Sequence, residues 1–383
     1  MVELAGIVRS AGPAYVEAHA GQLLPSHRRA LNDIARCRTP ALGGSLYRCD
    51  DCGTLDYRYH SCRNRHCPKC QEDRAQAWLG RVRKRMLPCD HYLLTFTLPH
   101  QLRGLARSHQ TTVYAALLRE AAASVQMLAS DRTWVGATPG ILAVLHTWSR
   151  TLEYHPHAHL LVTAGGLSSD GTAWVKPAHA RFLLPGYMLS RIFRAKLRAA
   201  LDRAGLDPEV DPTVWKQRWT VHVQQIGTGE HALLYLSRYV YRVALTNHRI
   251  ERFEQDRVTF RYTHARTAET RHVTVPVDTF LARFLQHVLP RGFAKIRSYG
   301  LLSPTRRPDR ERARHLLELP AVRSAPAAST SDSREVNAPT RHLADTTNAS
   351  TIAASTVSAL RCPVCEHATL TLLKRFRRSR APP

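Results

Sequence analysis

Two Cys-x-x-Cys pairs, Cys49-Asp-Asp-Cys52 and Cys67-Pro-Lys-Cys70, stand fourteen residues apart near the start of this 383-residue chain. Each pair is a knuckle that offers two thiolates to one ion. Two knuckles close a tetrahedral four-sulfur site, the arrangement structural zinc favours. Gly53 suits the turn leaving the first knuckle and Pro68 stiffens the second. The spacing therefore predicts one zinc on Cys49, Cys52, Cys67 and Cys70. Redox pairs are the alternative, but no thioredoxin-like pattern surrounds either motif. His60, Cys62 and His66 crowd the same segment, and Cys62 either replaces a ligand or joins Cys37 in a second site. Cys362-Pro-Val-Cys365 is half a site, with His367 near and no fourth ligand after it, so a zinc ribbon shared with another segment is one reading. Cys89 reads as a buried structural thiol.

Charge narrows the partners. Lys and Arg number 55 against 30 Asp and Glu, a formal net charge of +25. A field of that sign captures polyanions, and phosphate neutralisation supplies most non-specific affinity for nucleic acid. Arg58, Arg63, Arg65 and Lys69 lie within the cysteine loop and are candidate phosphate contacts; a solvated basic face is an equal reading of the same residues. The N-terminus lacks a basic start followed by a long apolar run. No uncharged apolar stretch approaches the ~20 residues that span a bilayer. The expectation is a cytoplasmic, nucleoid-associated protein of bacterial type with no membrane partner, in a compartment where paired cysteines favour metal over disulfides.

The chain divides into three parts. Residues 1–87 hold an N-terminal helical stretch and the zinc-binding domain. Residues 88–302 alternate strands and helices. Residues 303–383 lose periodicity, turn rich in Ser, Thr, Ala, Arg and Pro, and end on a CxxC pair and a basic run. In the central part, Tyr92–Thr97, Ile141–Thr147, His157–Thr163 and Trp219–Gln225 read as strands, and 106–129 and 187–204 as helices. The order β-α-β-β-α-β is the ferredoxin-like split βαβ arrangement with its antiparallel sheet. The expected fold is therefore α+β, with the first and third strands central, preceded by the small zinc-binding domain.

The third strand opens His155-Pro156-His157-Ala158-His159. Side chains two apart leave the same face of a strand, so His157 and His159 can chelate one divalent ion while Ala158 faces the core. Solvent-exposed histidines are the plainer reading. A third ligand is usual: His146 on the preceding strand comes first, with Glu153 and Gln224 as alternatives. A short helix is expected over residues 230–242, and it sets Tyr235 and Tyr239 four apart on one face. A phenol, with a pKa near ~10, is a poor nucleophile alone. A nearby metal and arginines lower its barrier by neutralising charge on an attacked phosphate. Without the histidine strand, such a tyrosine pair would read as core packing.

These words together resemble a known family. His157-Ala158-His159 with a paired-tyrosine helix looks like the HUH endonucleases. More narrowly, Ser61-Cys-Arg-Asn-Arg-His-Cys-Pro-Lys-Cys-Gln71, Phe96-Thr-Leu-Pro99, His146-Thr-Trp148, Tyr235-Leu-Ser-Arg-Tyr239, Ala244–Ile250, His287–Phe293 and Arg297–Gly300 resemble the two-tyrosine transposases named after insertion sequence 91. The likeness runs from about residue 25 to 302. It implies rolling-circle-type transposition, in which Tyr235 or Tyr239 attacks single-stranded DNA at the transposon ends and forms a 5′-phosphotyrosine link. Tyr241 is a lesser candidate. It further implies a catalytic Mg²⁺ or Mn²⁺ on His157, His159 and His146, structural zinc, and DNA contacts from Arg238 and Arg242 beside the tyrosines. The alternative is a non-catalytic zinc DNA-binding regulator derived from a transposase. A small-substrate metallohydrolase leaves the charge and the cysteines unexplained.

Overall fold

The computed structural model describes residues 2–179, 183–228, 244–264, 267–319, 361–366 and 370–377, with the backbone alone at 72–77 and 79. It is a mixed α+β protein with antiparallel sheets. In chain order the helices among the described residues are α1 (Leu4–Ala18), α2 (Pro25–Ala35), α3 (Pro68–Arg83), α4 (Arg103–Ser108), α5 (Gln110–Ala129), α6 (Gly186–Asp202), α7 (Thr213–Lys216), α8 (Val277–Leu285) and α9 (Arg307–Glu318). The strands that matter here are β1 (Gly44–Cys49), β2 (Leu55–Tyr59), β3 (Asp90–Thr97), β4 (Gly140–Trp148), β5 (Tyr154–Thr163), β6 (Gly166–Leu167), β7 (Trp174–Val175), β8 (Val221–Thr228), β9 (Ile250–Glu254), β10 (Arg257–Thr263), β11 (Thr270–Pro276), β12 (Ile296–Gly300) and β13 (Leu370–Phe376).

The main sheet runs β12-β4-β5-β3-β8, antiparallel throughout. Alternation along its strands sorts side chains to two faces. One face, with Leu94, Phe96, Ala143, Leu145, Ala158 and Leu160, packs under the apolar sides of α5 and α6 in the largest core. Burying each large apolar side chain there contributes roughly 2 kcal/mol; Phe96→Ala would cost on the order of 3–5 kcal/mol. The opposite face is divided along the strands. Its apolar end, Leu142, Val144 and Leu161, is covered by Trp78 and Val82 of α3 and by Met86 just beyond it. Its polar end carries histidines.

Three further layers surround this sheet. Helices α1 and α2 join α8 and the three-stranded sheet β11-β10-β9 in a second core containing Leu4, Ile7, Leu31, Ile34, Val258, Phe260 and Phe280. Strands β9 and β10 meet in a two-residue turn whose Gln255 and Asp256 both take positive φ, 50° and 55°, the primed-turn geometry that matches strand twist. A third sheet, β13-β1-β2, adds a strand from the far C-terminus to the N-terminal hairpin.

The differences from the sequence reading have physical causes. The predicted helix 106–129 is broken at His109, whose φ and ψ of −117° and 47° are not helical. Strand β5 starts at Tyr154, before Pro156, because Pro156 needs no ladder donor where it stands. Residues 303–319, read as the start of an aperiodic tail, form a 3-10 turn and the charged helix α9. Its Arg314 donates to the carbonyls of Lys84 and Met86, fastening it to the end of α3. Strand β12 went unread because five half-buried residues show no clean alternation.

Candidate metal centres

Strand register builds the histidine cluster. His146 on β4 stands directly opposite His157 on β5, and His159 stands opposite Val144 and, on its other side, Thr95 of β3. All three imidazoles leave the same face, and their ligand atoms lie within 4.8 Å of one another. The second nitrogens are held from behind. His157 Nδ1 lies 2.7 Å from the His155 carbonyl, which can only accept, so Nδ1 carries the hydrogen and Nε2 keeps its lone pair. His159 Nδ1 is 3.0 Å from Thr95 Oγ1. Such backing fixes ring orientation and tautomer at metal sites. Trp148 stacks on His146 with centroids 4.6 Å apart. Burial holds the His157 pKa down to about 4, so the ring stays neutral, the form that ligates. His155 does not join the cluster: Arg103 donates to its Nδ1 at 2.7 Å. Of the three candidates for a third ligand, the structure brings His146 to the pair; Glu153 is exposed at the β4–β5 turn and Gln224 is exposed on the edge strand β8.

The cysteines sort differently from the spacing argument. Cys67 and Cys70 meet Cys37 and Cys62, while Cys49 and Cys52 meet Cys362 and Cys365. The expected single set of Cys49, Cys52, Cys67 and Cys70 does not form. The cause is the hairpin between the pairs. Its base lies beside the first cluster, where His60 and Gly43 share a backbone bond. Strand β1 then carries Cys49 roughly 17 Å away at about 3.3 Å per residue. In the first cluster Cys37 follows α2 and Cys67 caps α3, with Pro68 in the first helical turn. Closest sulfur pairs are Cys62–Cys70 at 3.5 Å and Cys37–Cys70 and Cys37–Cys67 at 3.6 Å. Mutual S–H···S contacts, that with Cys37 foremost, push Cys62 and Cys67 up and Cys70 down. Four crowded thiols share protons in this way until a cation replaces them. Cys89 is half-buried with its pKa raised to about 12, chiefly by burial, as a structural thiol should be.

The candidate phosphate contacts fare unevenly. Arg65 donates to the carbonyls of Phe293 and Pro290, both at 2.5 Å, so its guanidinium docks the cysteine loop onto the segment entering β12. Lys69 pairs with Glu3 at 2.7 Å. Both basic side chains are thus engaged within the protein. Arg63 sits exposed with a left-handed φ of 56° in the cluster loop. Tyr235, Tyr239, Tyr241, Arg238 and Arg242 lie outside the described residues. Sequence reasoning missed Thr95 and His287. The latter is buried against Trp148, with Thr147 Oγ1 3.2 Å from its Nδ1 and the Leu152 carbonyl 3.1 Å from its Nε2. Phe96-Thr-Leu-Pro99 and His287–Phe293 were the only signals near them.

Comparison with known proteins supplies the identity. A family model described as "Putative transposase" matches residues 140–310, and one described as "Transposase zinc-binding domain" matches residues 7–98. The chain is 38% identical over 323 residues to a Sinorhizobium fredii (strain NBRC 101917 / NGR234) protein named "Putative transposase y4qJ", covering 78% of this chain and 80% of that one. The chain belongs to the insertion sequence 91 family of transposases. It is also 30% identical over 287 residues to the "Transposase for insertion sequence element IS801" of Pseudomonas savastanoi pv. phaseolicola, covering 70% of this chain and 68% of that one. No solved structure matches it. The transposase match spans both histidine strands, and the zinc-binding match spans the first cysteine cluster entire but only half of the second. Among the described residues no helix is long and apolar enough to cross a membrane.

Proposed function

We propose that this transposase nicks and rejoins single-stranded DNA as an HUH-type enzyme, on a ferredoxin-like catalytic sheet, in rolling-circle-type transposition. The observation that carries the reading is the three-histidine cluster: imidazoles gathered on one sheet face, with His157 and His159 oriented from behind. The sheet order, with β3 and β5 adjacent inside β4 and β8, supports the fold assignment. A Mg²⁺ or Mn²⁺ ion on His146, His157 and His159 would draw charge from the scissile phosphate. Arg103, fixed on His155, sets a cation beside the same strand end. Tyr235 or Tyr239 attacks phosphorus through its phenolic oxygen. The tyrosine O–P bond forms as the P–O3′ bond breaks, and the phenolic proton ends on the released 3′-hydroxyl. The covalent link preserves the phosphodiester energy for rejoining, and the second tyrosine serves the second cleavage or the transfer. Residues 1–87 form the zinc-bearing DNA-binding part and 88–302 the catalytic part, with the protein acting on the bacterial nucleoid.

The test is a denaturing gel of protein with labelled single-stranded oligonucleotides from the element's ends. A slow band that needs Mg²⁺ or Mn²⁺ and is lost in Tyr235→Phe/Tyr239→Phe is the expected result. DNA binding with no covalent band under any metal would favour the non-catalytic regulator.

A further inference from the structure

We propose that Cys49, Cys52, Cys362 and Cys365 hold a second zinc ion that clasps the C-terminal strand β13 onto the N-terminal hairpin. The two halves are built alike. Cys52 N–H points at Cys49 Sγ over 3.5 Å, and Val364 N–H points at Cys362 Sγ over 3.4 Å. Gly53 N–H donates to the Cys49 carbonyl and Glu366 N–H to that of Cys362, each at 3.1 Å. The residue after each second cysteine is left-handed, Gly53 at φ 72° and Glu366 at φ 59°. Such a conformation persists at a glutamate only where its surroundings impose it. Two knuckles of one design face each other, with Cys49–Cys365 at 3.5 Å and Cys52–Cys362 at 3.6 Å. A Zn–S bond of about 2.3 Å in a tetrahedron separates sulfurs by roughly 3.8 Å, so the cradle fits the ion closely. The four are free thiols, and their cluster is small, with Leu370 and Tyr47 as its apolar company. Ligands up to 316 residues apart therefore close a very long loop on little apolar burial, the condition under which a metal is needed.

Metal analysis of the reduced, full-length protein tests this. Two zinc per chain are expected, one in Cys362→Ser/Cys365→Ser, and two again in Cys365→His, which keeps a ligand. Cobalt titration of the same proteins should saturate the tetrahedral absorption at two, one and two equivalents. One zinc in the wild type, two in the double serine variant, or thiols at these positions found oxidised in pairs would overturn the proposal.

A different observation points to the outer face of the same sheet. Register places Tyr57, Tyr59, Phe376, Lys374 and Arg48 together on the face away from the cysteines. Tyr57 stacks between Tyr59 and Phe376 with centroids 6.3 and 6.4 Å apart. It is 51% exposed, and Lys374 Nζ lies 5.7 Å from the Phe376 ring. No strand residue on this face is acidic. A row of accessible rings with cations, its end carboxylate Asp50 taken up by the Thr371 hydroxyl at 2.8 Å, is the platform on which unpaired bases stack in succession. We infer that it binds single-stranded DNA, which rests on the substrate proposed above. Tyr57→Ala/Phe376→Ala should weaken binding of a labelled single-stranded end oligonucleotide at least tenfold and leave that of the same sequence as duplex unchanged. Equal losses on both, or none, would overturn the platform. Tighter capture of RNA than of DNA would replace its proposed occupant. A covalent adduct still formed at saturating oligonucleotide separates failure of the platform from failure of the nicking chemistry.

Discussion

The histidine cluster and the second cysteine cluster are both small ligand sets, yet they draw on the chain over very different distances. His146, His157 and His159 come from adjacent antiparallel strands joined by one tight turn. Cys49 and Cys365 are 316 residues apart. The first kind of site is fixed by local register; the second needs the whole chain to return on itself. Local sites are therefore rigid parts of the core, and distant ones are attachments that can be lost without dissolving the sheet. The first cysteine cluster lies between these extremes: its ligands span Cys37 to Cys70, and it is embedded in the second core beside Leu4, Ile7 and Leu245.

Four measurements sharpen or break this contrast. The largest effect is expected from His157→Ala, which should cut metal-dependent cleavage roughly 10³-fold or more while leaving the circular dichroism unchanged. An active His157→Ala protein would remove the histidines from the chemistry. Next, Cys70→Ser should destabilise the N-terminal part on the order of 5 kcal/mol, since structural zinc is folding energy. Cys362→Ser should leave the unfolding of the main sheet within about 1 kcal/mol, read by denaturant titration. Equal losses would show that the two clusters are not separate.

The third concerns pH. Burial lowers the His287 pKa from 6.5 to about 4. The unfolded chain binds this proton and the folded one refuses it, so stability is full above pH 6.5 and falls as pH drops toward 4. The loss is about 3 kcal/mol. His287→Gln should flatten that part of the stability curve; an unchanged slope would mean the ring is protonated in place. The smallest effect belongs to Thr95→Val. Removing the hydroxyl behind His159 should weaken metal affinity 10- to 100-fold, measured by metal titration of cleavage, with folding unaffected.

The same contrast explains what the sequence made legible. Strand alternation with His157 and His159 two apart put both rings on one face, and a short connection put His146 beside them. The long helix of the central region and its two neighbouring strands were equally plain, because apolar periodicity is local. The partition of the cysteines was not, because two CxxC pairs look alike whatever stands between them, and only the hairpin Gly44–Tyr59 shows that they cannot meet. Cys362 and Cys365 were half a site until β13 paired with β1. Arg65 and Lys69 looked like phosphate contacts because sequence shows charge without partners; their carbonyl and carboxylate neighbours come from residues 290–293 and from Glu3. Thr95 carried no motif of its own.

The most direct test of the central claim is to map the covalent link itself. Protein is reacted with single-stranded end oligonucleotide and Mg²⁺ or Mn²⁺, trimmed with nuclease and protease, and the nucleotide-bearing peptide is sequenced by mass spectrometry. The account predicts a 5′-phosphodiester on Tyr235 or Tyr239, formed only with metal and absent from His157→Ala. A link on any other residue, or one that forms equally well in chelator, would contradict it.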